Sequence, residues 1–160
     1  MDELSSRAVA VVDANRFLVL GTVDEDGRPR TSPVYFTHAD HREFYWVSSP
    51  DSHHSRNIAA RPRISFVVFD SSVTPAESPQ AVYVDADAAE VPEADLAAHC
   101  ARAFAHPRGD DGARAFTAEE LSGDAPIRLY RAVATRHQVH VRGGDATYGT
   151  GTDRRVTIEL

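Results

Sequence analysis

The run WVSSPDSHHSRNIAARPRISFVVFD, Trp46 to Asp70, decides how the rest of the chain is read. An aromatic, strand-favouring start passes through a turn built on Ser48, Ser49, Pro50 and Asp51. A short helix-compatible segment follows, with Asp51 or Ser52 placed to cap it and Arg61-Pro62 to close it after Ala60. RISFVVFD is almost continuously apolar, which predicts a strand buried on both faces. At the centre stand His53 and His54, among the hydroxyls of Ser48, Ser49, Ser52 and Ser55. The first amides of a helix lack intrahelical partners and carry partial positive charge, so they suit phosphate. Imidazoles there add donors and, when protonated, charge. An ordinary solvated N-cap accounts for the same residues equally well.

Working outward, Leu4, Ala8, Val11 and Val12 recur at helical spacing and predict an N-terminal helix over residues 1–15. FLVLGTV reads as a strand, DEDG as a turn and RPRTSPVYF as the hairpin partner. REFYWVSS is the third strand, with THADHREF before it read as a polar turn. Beyond the central run, SSVTPAESP is a loop and QAVYVDADAAEV a strand. Residues 92–121 read as a helical insertion with a mobile loop: PEADLAAHCARAFA is a helix with proline in its first turn, and HPRGDDGARA is polar. The triplet Arg108-Gly109-Asp110 is read as an incidental charged loop rather than an adhesion motif. Thr117 and Glu120 can form a capping box. IRLYRAVATRHQVHV is a long strand and RRVTIEL a terminal one. Mostly hairpin-linked strands with a few short helices predict a mainly β, antiparallel barrel in a single domain over 1–160, not alternating βαβ units.

Composition narrows function further. The 160 residues carry a formal charge of -7, and all 17 basic residues are arginine. These arginines are scattered from Arg7 to Arg155, so no basic footprint for nucleic acid exists. Any phosphate site must use arginine, histidine, hydroxyls or backbone amides. Cys100 is the only cysteine, which excludes an internal disulfide and fits a reducing compartment. The opening MDELSSRAVAVVDANR is acidic where a secretory signal is basic, and no run approaches the length of a membrane span. The expectation is a soluble, cytoplasmic protein without membrane or nucleic-acid partners.

Of the eight histidines, His38 and His41 are spaced HxxH in a polar turn, and His137 and His140 point to opposite faces of a strand. No HExxH or Cys/His pattern occurs, so no metal site is expected. No GxSxG elbow marks a nucleophile, and Cys100, among alanines, reads as an inert buried thiol. A GxGxxG strand-to-helix context is also missing.

Taken in order, RPRTSPVYF, EFYWVSS and DSHHSRNIAARPRISFVVFD resemble the pyridoxamine 5'-phosphate oxidase-like flavoproteins of the FMN-binding split barrel. The resemblance spans about residues 15 to 90. It rests on the order of the motifs: a cofactor-lining second strand, a strand ending in a hydroxyl, a Ser-basic-basic helix start running into Asn57-Ile58, and a Pro-x-apolar strand. It implies that Arg30, Thr31, Ser32, Pro33 and Val34 line a flavin. Val47, Ser48 and Ser49 would lie at the ring and phosphate, and Ser52, His53, His54 and Asn57 at the phosphate. Gln80 falls near a family glutamine at the ring. Pro33, lacking an amide, suits an edge strand facing a ligand.

The resemblance further implies FMN as cofactor, a homodimer with flavin at the interface, and oxidoreductase chemistry on a small-molecule substrate, without naming a catalytic side chain. Related branches bind a deazaflavin or haem, and a non-catalytic flavin carrier is the remaining alternative. Two departures bear on substrate. The Arg-x-His run that holds pyridoxamine phosphate in the true oxidases does not occur, and Tyr35 stands where the family carries lysine.

Overall fold

The computed structural model describes residues 1–74, 80–105 and 114–160. Helix α1, Glu3–Ala14, begins where the Asp2 side chain accepts the Ser5 amide at 2.7 Å. It stops at Asn15, whose side-chain amide donates to the Val11 carbonyl. The predicted stripe of Leu4, Ala8, Val11 and Val12 is its buried face. Strands β1 (Phe17–Val23) and β2 (Pro29–Tyr35) form the expected hairpin, with Phe17 opposite Tyr35 and Val23 opposite Pro29. Gly27, at a φ of 83°, supplies the left-handed residue that this turn requires.

A strand that the sequence does not announce follows. Thr37–Ala39 forms β3 and pairs with β4, Glu43–Ser48. The polar letters of THADHREF conceal it because β3 is only three residues long and lies at the sheet edge. Helix α2 is His53–Ala60, β5 is Arg63–Phe69 and β6 is Ala81–Glu90. A helical turn at Glu93–Asp95 leads into α3, Leu96–Ala103. The Thr117–Glu120 capping box is present, with the Thr117 amide donating to Glu120 at 2.9 Å and the Glu120 amide to Thr117 at 3.4 Å. The sheet closes with β7 (Arg128–Val141) and β8 (Arg154–Ile158). The loop expected to be mobile, HPRGDDGARA, spans residues 106–115, and 106–113 of it, with Arg108-Gly109-Asp110, lie outside the described residues.

All the strand pairs are antiparallel, in the order β2-β1-β5-β6-β7-β4-β3, with β8 also paired to β7. The long β7 serves two partners along one edge: its first half pairs with β4 and its second with β8. Midway it bulges. Asp85 faces Arg136 and Ala86 faces Ala134, which leaves Thr135 as the extra residue. The Thr135 hydroxyl donates to the Asp85 carbonyl at 3.0 Å. A bulge bends its strand and increases twist, and here it helps curl the sheet into a half-barrel. The interior is apolar: Leu18, Leu20, Phe36, Phe44, Phe66, Val82 and Val139 are buried together. Phe44 meets Phe66 edge-on, with ring centroids 4.8 Å apart.

One expectation is corrected. The apolar run RISFVVFD is not buried on both faces: Ile64, Phe66 and Val68 face the core, whereas Arg63, Ser65 and Phe69 are exposed. The doubly buried strand is β4, where Phe44, Tyr45 and Trp46 are all buried in succession. The reason is the position of α3. With Leu96, Cys100 and Ala103 it builds a second apolar cluster against Tyr45, Leu129 and Leu121 on the outer side of β4 and β7. Cys100 is buried there, and burial raises its thiol pKa, as expected of an inert cysteine.

Candidate functional site

Three elements converge at the start of α2. The end of β4 contributes Ser48, the turn contributes Ser52, and the first helical turn contributes His53, His54 and Ser55. Of the two possible caps, Ser52 is the one used: its Oγ accepts the Ser55 amide at 3.3 Å. The same hydroxyl donates to Ser55 Oγ at 2.7 Å and lies 3.2 Å from both Ser48 Oγ and His54 Nε2. Ser48 Oγ lies 2.9 Å from that imidazole nitrogen. His54 is half-buried, and burial lowers its pKa, with the neighbouring His53 adding to the effect.

His53 turns the other way. Its Nε2 donates to Asp24 Oδ1 at 2.6 Å. The same carboxylate accepts from Arg30 Nε at 2.7 Å and from Asn57 Nδ2 at 2.9 Å. Asn57, buried, also donates to Thr22 Oγ1 at 3.1 Å. The hydrogen bonds from Asn57 first, then Arg30 and His53, hold Asp24 far below the usual carboxylate range. A carboxylate so fully saturated works as an organiser: it sets an arginine, an imidazole and an amide side by side next to a helix N-terminus.

The structure thus gathers Arg30, His53 and Asn57 around Asp24, and Ser48, Ser52 and His54 around one another, in two networks at the start of α2. Ser49 lies at their margin, where its hydroxyl accepts the Asp51 amide at 3.1 Å. The adjacent imidazoles are divided between two sets of partners. On β2, strand alternation puts Arg30, Ser32 and Val34 on one face and Thr31 and Pro33 on the other. These five therefore cannot all present side chains to one ligand surface. β2 is the edge strand that Pro33 anticipates. Val47 is half-buried on β4, opposite Leu129. Gln80 is not brought in. It precedes Ala81, at the Phe69 end of β5, whereas α2 enters at the Arg63 end. That is about 20 Å of strand at ~3.3 Å per residue.

Sequence reasoning missed Asp24 and Thr22. Asp24 reads as one of three acids around a turn, and only the β1–β2 register and the docking of α2 reveal its partners.

An opening adjoins this network at Thr22. A pocket of about 510 Å³ runs along β1, β5 and β6, with Arg63, Asp85 and Asp87 as its charged residues. Asp85 is already paired with Arg136 at 2.5 Å. One arginine against two carboxylates is the wrong balance for phosphate, so the α2 cluster is the stronger anion site.

The chain also assembles a histidine pair that sequence spacing alone left apart from any partner. His38 and His41 both reach Asp13, at the end of α1. Among the described residues no helix is long and apolar enough to cross a membrane.

No curated protein matches the sequence. Solved structures do share the fold. A heme binding protein from Mycobacterium smegmatis is 17% identical at a TM-score of 0.69, and the match covers 98% of this chain but only 59% of that one. A FAD-binding protein from Mesorhizobium loti is 21% identical at a TM-score of 0.56, covering 87% of this chain and 94% of that one. A protein of the pyridoxinephosphate oxidase family from Clostridium acetobutylicum, related to a general stress protein of B. subtilis, is 12% identical at a TM-score of 0.61. That match covers 99% of this chain and 97% of the other. The sequence model for pyridoxamine 5'-phosphate oxidase matches residues 4–137, from the first turn of α1 to the second half of β7, and includes every residue of the α2 cluster. By that match the chain belongs to the pyridoxamine 5'-phosphate oxidase family.

Proposed function

We propose that the protein binds FMN with its phosphate at the start of α2 and acts as an oxidoreductase on a small molecule. The carrying observation is the Asp24-centred array, which holds Arg30, His53 and Asn57 together at the start of the helix whose first turn also carries the Ser48–Ser52–His54 hydroxyl and imidazole group. The donor types fit a phosphate: a guanidinium, imidazoles, hydroxyls and the N-terminal end of an eight-residue helix. They do so without lysine, as a chain that has none must. Bound FMN supplies hydride and electron transfer at its ring, and the protein's part is to hold and orient it. Here Arg30 and His53 neutralise phosphate charge, Ser48 and Ser52 donate to its oxygens, and Asp24 keeps the cationic groups in place.

Ser32 and Val34, on the Arg30 face of β2, and Val47 then flank the ring. Gln80, just before β6 and level with the far end of β5, lies too far away to reach the same flavin, so it serves the cofactor of a second copy in a homodimer. The exposed side chains of Phe17, Val23 and Phe69 supply apolar surface for that contact. Pyridoxamine phosphate is not the substrate we propose, because the Arg-x-His run that would hold it is missing.

The test is reconstitution of the purified chain with FMN, riboflavin, a deazaflavin or haemin, followed by visible spectroscopy. FMN is expected to bind in preference to riboflavin, and the complex to sediment as a dimer. Riboflavin binding as tightly as FMN removes the phosphate site. A Soret band with haemin and no flavin uptake replaces the proposal with a haem-binding function.

A further inference from the structure

We propose that Asp13, His38 and His41 form a site for a first-row divalent cation, zinc above all, which clasps the end of α1 to the β3–β4 turn. The three side chains come from different elements: Asp13 from the last turn of α1, His38 from β3 and His41 from the turn after it. Their ligand atoms all lie within 4.8 Å of one another. His38 Nε2 is 3.0 Å and His41 Nε2 2.8 Å from the same Asp13 oxygen, and the two rings are tilted by 33° with centroids 4.3 Å apart.

Two imidazole nitrogens and one carboxylate oxygen are a donor set that zinc accepts. A tetrahedral centre with bonds of about 2.0–2.1 Å has donor–donor edges of about 3.3 Å. The two imidazole–carboxylate separations, 3.0 and 2.8 Å, reach that with a movement of a few tenths of an ångström, and the third edge lies within 4.8 Å. The two histidine side chains are 17% and 20% exposed, and Asp13 is 51% exposed. The two imidazoles are thus mostly covered by the protein, and the carboxylate is open to solvent.

The turn is built to hold His41 in place. Asp40 and His41 both adopt left-handed backbone conformations, at φ 54° and 55°. The Arg42 amide donates to the Ala39 carbonyl at 3.1 Å. The buried His137 donates from Nε2 to the His41 carbonyl at 2.8 Å, which fixes the tautomer of His137 and pins the turn to β7. Arg42 sends its guanidinium away, to the Leu160 carbonyl. None of these residues belongs to the α2 cluster, so the proposal is independent of the flavin reading. The competing account is a carboxylate shared by two imidazole N–H donors with no metal role.

Calorimetric titration of the chelator-treated full-length protein with Zn²⁺ separates the two. One saturable site is expected, together with a rise in Tm from ligand binding to the folded state. Loss of an outer partner alone weakens metal sites about 10–100-fold, so His41→Ala and His38→Ala should weaken binding by more than about a hundredfold. His41→Gln, the milder change, should do the same with an unaltered circular dichroism spectrum, and His140→Ala should bind as the parent does. The absence of saturable Zn²⁺ uptake by the parent overturns the site, and so does a His41→Gln titration indistinguishable from the parent's.

Discussion

Asp24 and Asp13 each hold imidazoles, and the two clusters have opposite characters. Around Asp24 the imidazole of His53 is joined by the Arg30 guanidinium and the buried Asn57 amide, so donors outnumber the single negative charge. Around Asp13 stand two imidazoles, whose nitrogens can serve as acceptors for a cation. The first arrangement offers a guanidinium and N–H donors to an anion. The second offers lone pairs and a carboxylate to a metal. The comparison teaches that a histidine pair in sequence says little by itself: the third residue brought by the fold sets the sign of its ligand.

The strongest way to break this contrast is to cross the variants with the ligands. Arg30→Ala should lose about 1.5–3 kcal/mol of FMN affinity, the worth of hydrogen bonds to charged groups, and keep the parent's Zn²⁺ titration. His41→Ala should do the reverse. Equal effects of either variant on both ligands would show one coupled site instead of two. For Arg30→Ala, riboflavin binding measured by fluorescence should be unchanged, because the lost contact is to phosphate.

Next in size is Asn57→Ala. It removes the buried donor shared by Thr22 and Asp24 and should destabilise the fold by about 1–3 kcal/mol in urea, with no change in the slope of unfolding. A stability equal to that of the parent would mean that Asp24 needs no such support.

A smaller, pH-dependent effect follows from Asp24 itself. Its pKa is depressed in the folded state by Asn57, Arg30 and His53. Its contribution is therefore complete above the unfolded value near 3.8 and is lost as pH falls through the lower folded value. Asp24→Asn should be less stable than the parent at neutral pH, and the gap should begin to narrow below about pH 4 and close only as pH falls toward the folded value. Parallel acid-unfolding curves would deny Asp24 its organising role.

The smallest effect concerns His54. Burial lowers its pKa in the ligand-free protein, so its neutral form is favoured, and its contribution is full above the ordinary value of 6.5. That contribution is lost as pH falls through the folded value. The buried His137 acts in the same direction, so His54→Gln should remove only part of the pH dependence. FMN phosphate beside His54 should move its NMR titration upward. A His54 titration that FMN leaves unmoved would place the phosphate elsewhere.

Much of the architecture was legible because it rests on local rules. Asp2 and Ser52 cap helices as short polar residues before apolar periodicity do, and the Thr117–Glu120 box needs only three-residue spacing. Period-two alternation drew the β1–β2 hairpin, and the ordered motifs around Ser52-His53-His54 pointed to the family. What local rules could not see depended on layers. RISFVVFD looked buried on both sides because apolar letters do not say whether anything covers the outer face, and α3 covers β4 instead. The Thr135 bulge, the three-residue β3 and the position of Gln80 are likewise matters of register and partner.

By itself, then, the sequence determined the capped helices, the hairpins, the antiparallel class and the family resemblance, because these follow from sterics and polarity within a few residues. Only the tertiary structure decided that His53 faces Asp24, 29 positions away, and that His38 and His41 face Asp13, 25 and 28 positions away. The physical reason is one of range. Periodicity and caps act over one turn or one pleat, whereas a carboxylate meets its imidazoles only after the chain has closed its barrel and fixed which edges touch.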